Sequence, residues 1–108
     1  MTMTKQVAAL RISTQIHELE SAINHTLGCA AALTASTATA RNDFEVGPAV
    51  GLKALTWLAN VQANLVKAGG DTARVHADLL SAAREMGIAD ENCDWARHSG
   101  QLDLTEAA

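Results

Sequence analysis

The sequence predicts an all-α protein, an antiparallel helical bundle built on a long N-terminal helix and completed by dimerisation. Apolar residues recur every three or four positions over much of the first 35 residues, which is the period of one helix face. The composition is 48% hydrophobic but only 3% aromatic. Such a composition suits closely packed helices better than β-sheets, which favour β-branched and aromatic residues. The 108 residues are within the usual length of one domain, so we expect a single helical domain.

The first helix is predicted over residues 4–36. Its apolar positions form a heptad seam, weakest at the threonine: Ala9, Ile12, Ile16, Leu19, Ile23, Thr26, Ala30 and Leu33. A helix of about 32 residues is about 48 Å long. This is longer than a compact domain of this size needs, and a second copy of the chain is the partner that the seam predicts.

A loop is predicted over 37–47, where small and polar residues end in Gly47. Pro48 suits the first position of a second helix, since its missing N–H costs nothing there. This helix is predicted over 48–68 and ends at the glycine pair that follows, a C-cap signal. Its predicted apolar stripe contains Leu55, Leu58, Val61, Leu65 and Val66. Trp57 lies opposite the stripe, either covered by a later segment or on a contact surface.

Asp71 is a predicted N-cap for a third helix over 72–86. Its inward face is predicted to contain Val75, Leu79, Ala82 and Met86. Gly87 is predicted to end the helix, and Ile88 to pack back against its last turn.

A short fourth helix is predicted over 90–98, anchored by Trp95, and a loose tail over 99–108.

The charge and apolar patterns exclude several classes of partner and location. The net charge is −4 and the eight basic residues form no patch, so nucleic acid is not an expected partner. No apolar run approaches the length of a membrane span, and the N-terminus lacks the apolar core of a secretory signal. Cys29 and Cys93 are distant and have no CxxC spacing; a disulfide between them stays an alternative, and a reduced, cytoplasmic protein is the expectation. We expect no cofactor.

With the seam inward, a polar face on the first helix points outward: His17, Ser21, Asn24 and Gly28. One interpretation is a solvated face on which Gly28 admits the third helix of the same chain. The other is a partner-binding surface, to which Trp57 could contribute. In that case His17 is a candidate nucleophile and Glu18 could orient its ring through a hydrogen bond.

The run HELESAINHTLGCAAAL, residues 17–33, resembles the H-box helix of sensor histidine kinases, the dimerisation and phosphoacceptor helix. The resemblance implies that His17 accepts phosphate and that Glu18 is its acidic neighbour. Ser21 would stand where the family positions water for dephosphorylation. Glu20 and Ala22 replace the arginine and proline of the family's pattern.

The overlapping run NHTLGCAAAL resembles the phosphohistidine motif of histidine phosphotransfer proteins, but without its lysine. This second resemblance would make His25 the acceptor instead. Either resemblance implies a separate kinase and a receiver domain as partners, since no ATP-binding domain follows in this sequence.

No metal site is favoured. His25 and Cys29 are four residues apart on one helix and could present two ligands to one ion, with Cys93 and His98 completing the set. These spacings match no recognised zinc pattern. His76 is predicted at the boundary of an apolar stripe rather than as a ligand, and no Glu-x-x-His pair of the di-iron type is present.

The sequence thus predicts a small, non-enzymatic interaction or regulatory module that forms a homodimer. The alternative is a phosphotransfer protein that carries phosphate on His17 between a partner kinase and a receiver domain.

Overall fold

The structure, a computed structural model, describes residues 4–88. Two helices occupy this part of the chain, α1 (Lys5–Asp43) and α2 (Leu52–Glu85), and no strand occurs in it. The all-α prediction is therefore confirmed. The chain divides into two compact units, each containing one segment of α1 and one of α2. Unit 1 is described over 4–20 and 70–88, and unit 2 is 21–69.

Helix α1 continues beyond the predicted end at residue 36 and includes most of the predicted loop 37–47. The threonines in this stretch bond back to the helix instead of opening it. The hydroxyls of Thr34 and Thr37 donate to the carbonyls of Ala30 and Leu33, at 3.0 and 2.8 Å. The alanines in and beside this stretch, Ala35, Ala38 and Ala40, favour helix more strongly than any other residue. The prediction of a loop was wrong because it gave more weight to the polar residues than to alanine.

Helix α2 runs unbroken through Gly69 and Gly70, where the sequence predicted a termination. The predicted helices 48–68 and 72–86 are therefore one helix, and Asp71 is not an N-cap but pairs with Arg74 at 3.2 Å within it. Among the glycines within residues 4–88, only Gly51 and Gly87 have a positive φ, so the pair at 69–70 lacks the left-handed backbone of a C-cap.

The connection between the helices begins at Phe44 and ends at Gly51. Pro48 lies in this turn rather than at the first helical position, which is a correction to the prediction. The side chain of Arg41 fixes the turn by donating to the carbonyls of Pro48 and Val50, at 2.6 and 2.8 Å. Gly51 has φ +78°, a value that glycine adopts without strain, and α2 starts directly after it.

The end of α2 was predicted correctly from the sequence. Gly87 has φ +74°, its N–H donates to the carbonyl of Arg84, and the N–H of Ile88 donates to that of Ala83, both at 3.0 Å. This pair of bonds is a Schellman motif. Ile88 packs against Leu80 and Ala83, as expected. The predicted short helix 90–98 and the tail 99–108 lie outside the described residues.

The inward face of α1 differs from the predicted seam at every second position. The buried and half-buried positions at heptad spacing are Ala9, Ser13, Ile16 and Glu20 in unit 1, and Ile23, Leu27, Ala30 and Thr34 in unit 2. Four predicted positions are instead exposed: Ile12, Leu19, Thr26 and Leu33. The helix is rotated because polar side chains of α1 have partners on α2. In unit 2, Gln62 donates to the hydroxyl of Thr34 at 2.8 Å.

Helix α2 shows the same offset. Its inward positions are Leu55, Leu58, Gln62, Leu65 and Gly69 in unit 2, and Thr72, His76, Leu79 and Ala83 in unit 1. We call these positions and their α1 counterparts the seam. From the predicted stripe of the second helix, Val61 and Val66 are exposed. Of the four residues predicted to face inward on the third helix, only Leu79 does so, while Val75, Ala82 and Met86 are exposed. Val61, Val75 and Ala82 each lie one residue before a seam position, and Val66 lies one residue after one.

Helix continuity through the glycine pair can be tested with alanine. Nothing lies within 4 Å of a Cβ built at Gly70, whereas Gly87 has a positive φ that strains any side chain. We expect Gly70→Ala to raise the free energy of unfolding by about 1 kcal/mol, and Gly87→Ala to lower it by a similar amount. Urea denaturation of both variants measures this difference. A loss of stability in Gly70→Ala would indicate a broken helix at this position.

Candidate functional site

Unit 1 contains a cluster of two histidines and a glutamate that is mostly shielded from solvent. His17 and Glu20 lie one turn apart on α1, and His76 lies opposite them on α2. The His76 side chain is completely buried, and its Nδ1 is 3.0 Å from Oε1 of Glu20. The Glu20 side chain is 25% exposed, so the cluster reaches solvent through this residue. We call these three residues the His-Glu cluster.

The two imidazoles of the His-Glu cluster contact each other edge to face. Their centroids are 5.5 Å apart and their planes are inclined by 67°. Nε2 of His17 is buried. One donor atom from each of the three residues lies within 4.8 Å of the other two. Imidazole nitrogen and carboxylate oxygen are donors that first-row transition metals accept, so the arrangement is chemically suited to bind a cation or to hold a proton between bases.

The heptad pattern explains why these side chains meet. Glu20 follows the buried Ile16 by four residues and so falls on the seam, and His76 is the seam position of α2 opposite it. His17 is half-buried beside the seam, so the prediction that its ring faces outward was wrong. The prediction of His76 as a boundary residue was also wrong, since it is the most deeply buried large side chain described.

The remaining residues of the predicted polar face are solvent-exposed. Glu18, Ser21, Asn24 and Gly28 all lie on the open side of α1. A Cβ built at Gly28 would meet nothing within 4 Å, so no helix in the described part of the chain packs there. The structure thus separates His17 from the other residues with which the sequence grouped it.

Trp57 is 62% exposed, and within residues 4–88 no later segment covers it. His25 and Cys29, the two residues of the unfavoured metal set that the structure describes, lie close together, with Sγ of Cys29 3.6 Å from Nε2 of His25 on the exposed side of α1. Cys29 is a free thiol. Cys93 and His98, the other members of that set, lie outside the described residues.

Apolar side chains are exposed in rows beside the seam in both units. In unit 1 they include Ile12, Leu19 and Val75, and in unit 2 Leu33 and Val61. Their exposed fractions range from 37% for Ile12 to 55% for Leu33. Each is seven residues, or a multiple of seven, from the others on its helix, so they occupy one heptad position of each helix. We call them the flanking rows.

A shallow apolar groove of about 360 Å³ in unit 1 adjoins the flanking rows. Ile12 and Ala9 line it from α1, and Ala82 and Met86 from α2. Few buried apolar side chains support unit 1, namely Ile16, Leu80 and Ala83. The core that the described residues make for themselves is therefore small, and a wide apolar surface remains beside it.

Neither described helix has a segment sufficiently long and apolar to cross a lipid bilayer. Comparison of the chain with protein-family models, curated proteins and solved structures gave no match. The resemblance of residues 17–33 to the phosphoacceptor helices therefore stays a prediction.

Proposed function

We propose that this protein is a non-enzymatic helical interaction module that acts as a homodimer, in which the flanking rows of two copies pack together. The observation that carries the proposal is the width of the apolar face. Two paired helices need apolar residues at two heptad positions, and a third apolar position is typical of helices that belong to a larger bundle. Both helices have this third position.

Apart from Lys5, the first residue of α1, the heptad positions of the flanking rows contain no charged residue along either helix. On α1 the heptad position is occupied by Ile12, Leu19, Thr26, Leu33 and Ala40, and on α2 by Ala54, Val61, Ala68, Val75 and Ala82. From Ile12 onward on α1, and along all of α2, two copies that each have a net charge of −4 can therefore approach at this face without placing like charges in contact. In an antiparallel pair, equivalent flanking positions of the two helices lie on the same side, so in each unit both rows border one surface.

The sizes of these residues favour a second copy over an unrelated partner. The α1 row is dominated by large side chains and the α2 row by alanine and valine. We propose the two-fold arrangement in which the α1 row of each copy lies over the α2 row of the other, because large side chains then face small ones at both equivalent contacts. Interdigitation of large and small side chains is how helical layers reach the packing density of protein interiors.

This proposal is preferred to phosphotransfer because of the position of His17. A phosphoacceptor must present a ring nitrogen to the donor and acceptor domains, but the ring is half-buried, edge-on to His76, and Nε2 is buried. We also propose a cytoplasmic location, since a reducing compartment would keep the exposed Cys29 as the free thiol seen in the structure.

Sedimentation equilibrium of the full chain tests the proposal. The chain mass is 11.3 kDa, and we expect a species of twice this mass at micromolar concentration that dissociates on dilution. A monomer at every concentration up to the millimolar range would overturn the proposal. The flanking rows would then be covered by another part of the same chain or by another protein.

A further inference from the structure

We propose that the His-Glu cluster is a binding site for one divalent transition-metal ion of the zinc class. One nitrogen of each imidazole, from His17 and His76, and one carboxylate oxygen of Glu20 would be its protein ligands. The site is independent of the proposed dimer, since all three residues belong to unit 1 of one chain.

The donor set is the first reason. Two histidines and one glutamate are a ligand combination that Zn²⁺ uses when a fourth position stays open to water. The carboxylate supplies negative charge, and both imidazoles can bind as neutral ligands. Because the Glu20 side chain is 25% exposed, an ion and a water ligand could reach the site from solvent on this side.

The distances are the second reason. Zinc bonds to nitrogen and oxygen are about 2.0–2.1 Å long, so two ligand atoms of a tetrahedral site are about 3.3 Å apart. The pair formed by Nδ1 of His76 and Oε1 of Glu20 is already at 3.0 Å. All three donor atoms lie within 4.8 Å of one another. To reach the spacing of a tetrahedral zinc site, any two of them would have to move together by at most about 1.5 Å. Side-chain rotation can supply this movement without displacing either helix.

The contrast with unit 2 is the third reason. There the polar seam pair is Gln62 with Thr34, two neutral groups, and this single hydrogen bond is sufficient to favour one register. Glu20 and His76 alone would serve the same purpose in unit 1. The structure brings a second imidazole to the same point, next to a carboxylate, in surroundings where ionisable groups are costly to bury. A metal ion accounts for all three side chains together.

Within the described residues this is the only group of three such side chains with donor atoms close enough to share an ion. An ion bound there would link α1 to α2 in unit 1, and would stabilise the folded state because the unfolded chain lacks the site.

The test uses the full chain stripped of metal with a chelator. Equilibrium dialysis against Zn²⁺, followed by elemental analysis, is expected to give one ion per chain. His17→Gln and Glu20→Gln should each weaken binding on the order of 100-fold, since even loss of groups that only support a metal ligand costs 10- to 100-fold. Cys29→Ser is the matched control, and should retain zinc like the unmodified chain.

Two further readouts keep the result unambiguous. Far-UV circular dichroism checks that each variant remains helical, and the substituted residues were chosen because neither is fully buried. Zinc should raise the melting temperature of the unmodified chain but not that of His17→Gln. The proposal is overturned if the chain retains no zinc, or if the His17 and Glu20 variants retain it fully. It is also overturned if zinc binding disappears in Cys29→Ser, because the ion would then be bound by Cys29 and not by the His-Glu cluster.

Discussion

Leu33→Glu is expected to weaken the dimer on the order of 100-fold, because each subunit would bring a carboxylate into an apolar contact. Leu33 is 55% exposed in the single chain, so the substitution should leave the fold of unit 2 intact. The loss should therefore appear in self-association and not in helix content. Sedimentation equilibrium measures the dissociation constant, and circular dichroism measures the helix content.

The neighbouring residue provides the control for this prediction. Ala32 is also exposed, but it lies on the side of α1 away from the seam and the flanking rows. Ala32→Glu adds the same charge to the same turn and should leave the dissociation constant unchanged. Equal weakening by both substitutions would show that net charge, rather than the flanking row, governs association.

His76→Ala is expected to lower the free energy of unfolding by about 3 kcal/mol. Two effects combine: the cavity left by a completely buried ring, and a carboxylate of Glu20 that loses its hydrogen-bond partner. Because Glu20 is 25% exposed, solvent would compensate part of the second effect, so the value is below that for a fully buried pair. Urea denaturation at a fixed protein concentration measures it.

His25→Ala is the matched control for this second prediction. His25 is exposed on α1, and its replacement should change the free energy of unfolding by no more than about 0.5 kcal/mol. If the two substitutions had equal effects, the buried position of His76 would be contradicted.

The helical class, the end of α2 and half of the α1 seam followed from sequence patterns. Gly87 was identifiable because a glycine followed by an apolar residue closes a helix through known backbone bonds. The positions Ala9, Ile16, Ile23 and Ala30 were identifiable because they belong to both the apolar stripe and the true seam.

The rotation of the helices was not predictable from local pattern. Glu20 and Gln62 have the character of solvated residues, and they become half-buried only beside partners 56 and 28 positions away in the sequence. The apolar stripe therefore pointed to a face between the seam and the flanking rows. A sequence search that allowed polar residues in a heptad, with Ser13, Glu20 and Thr34 included, would have found the seam and with it the His-Glu cluster.

The helix break at the glycine pair was predicted for a similar reason. Gly69 is a poor helix former, but it occupies the seam, where a Cβ would lie 3.9 Å from Ile23. Packing of the segments on both sides maintains the helix through a pair that would weaken it in isolation.

The register in which Glu20 faces His76 across unit 1 positions the whole His-Glu cluster. A double-mutant cycle with Glu20→Ala, His76→Ala and the combined variant tests it most directly, since the cycle isolates the interaction of the two side chains. We expect a coupling free energy of about 1–2 kcal/mol from urea denaturation in metal-free buffer. Additive effects, with a coupling near zero, would mean that the two residues do not meet and that the helices pair in another register.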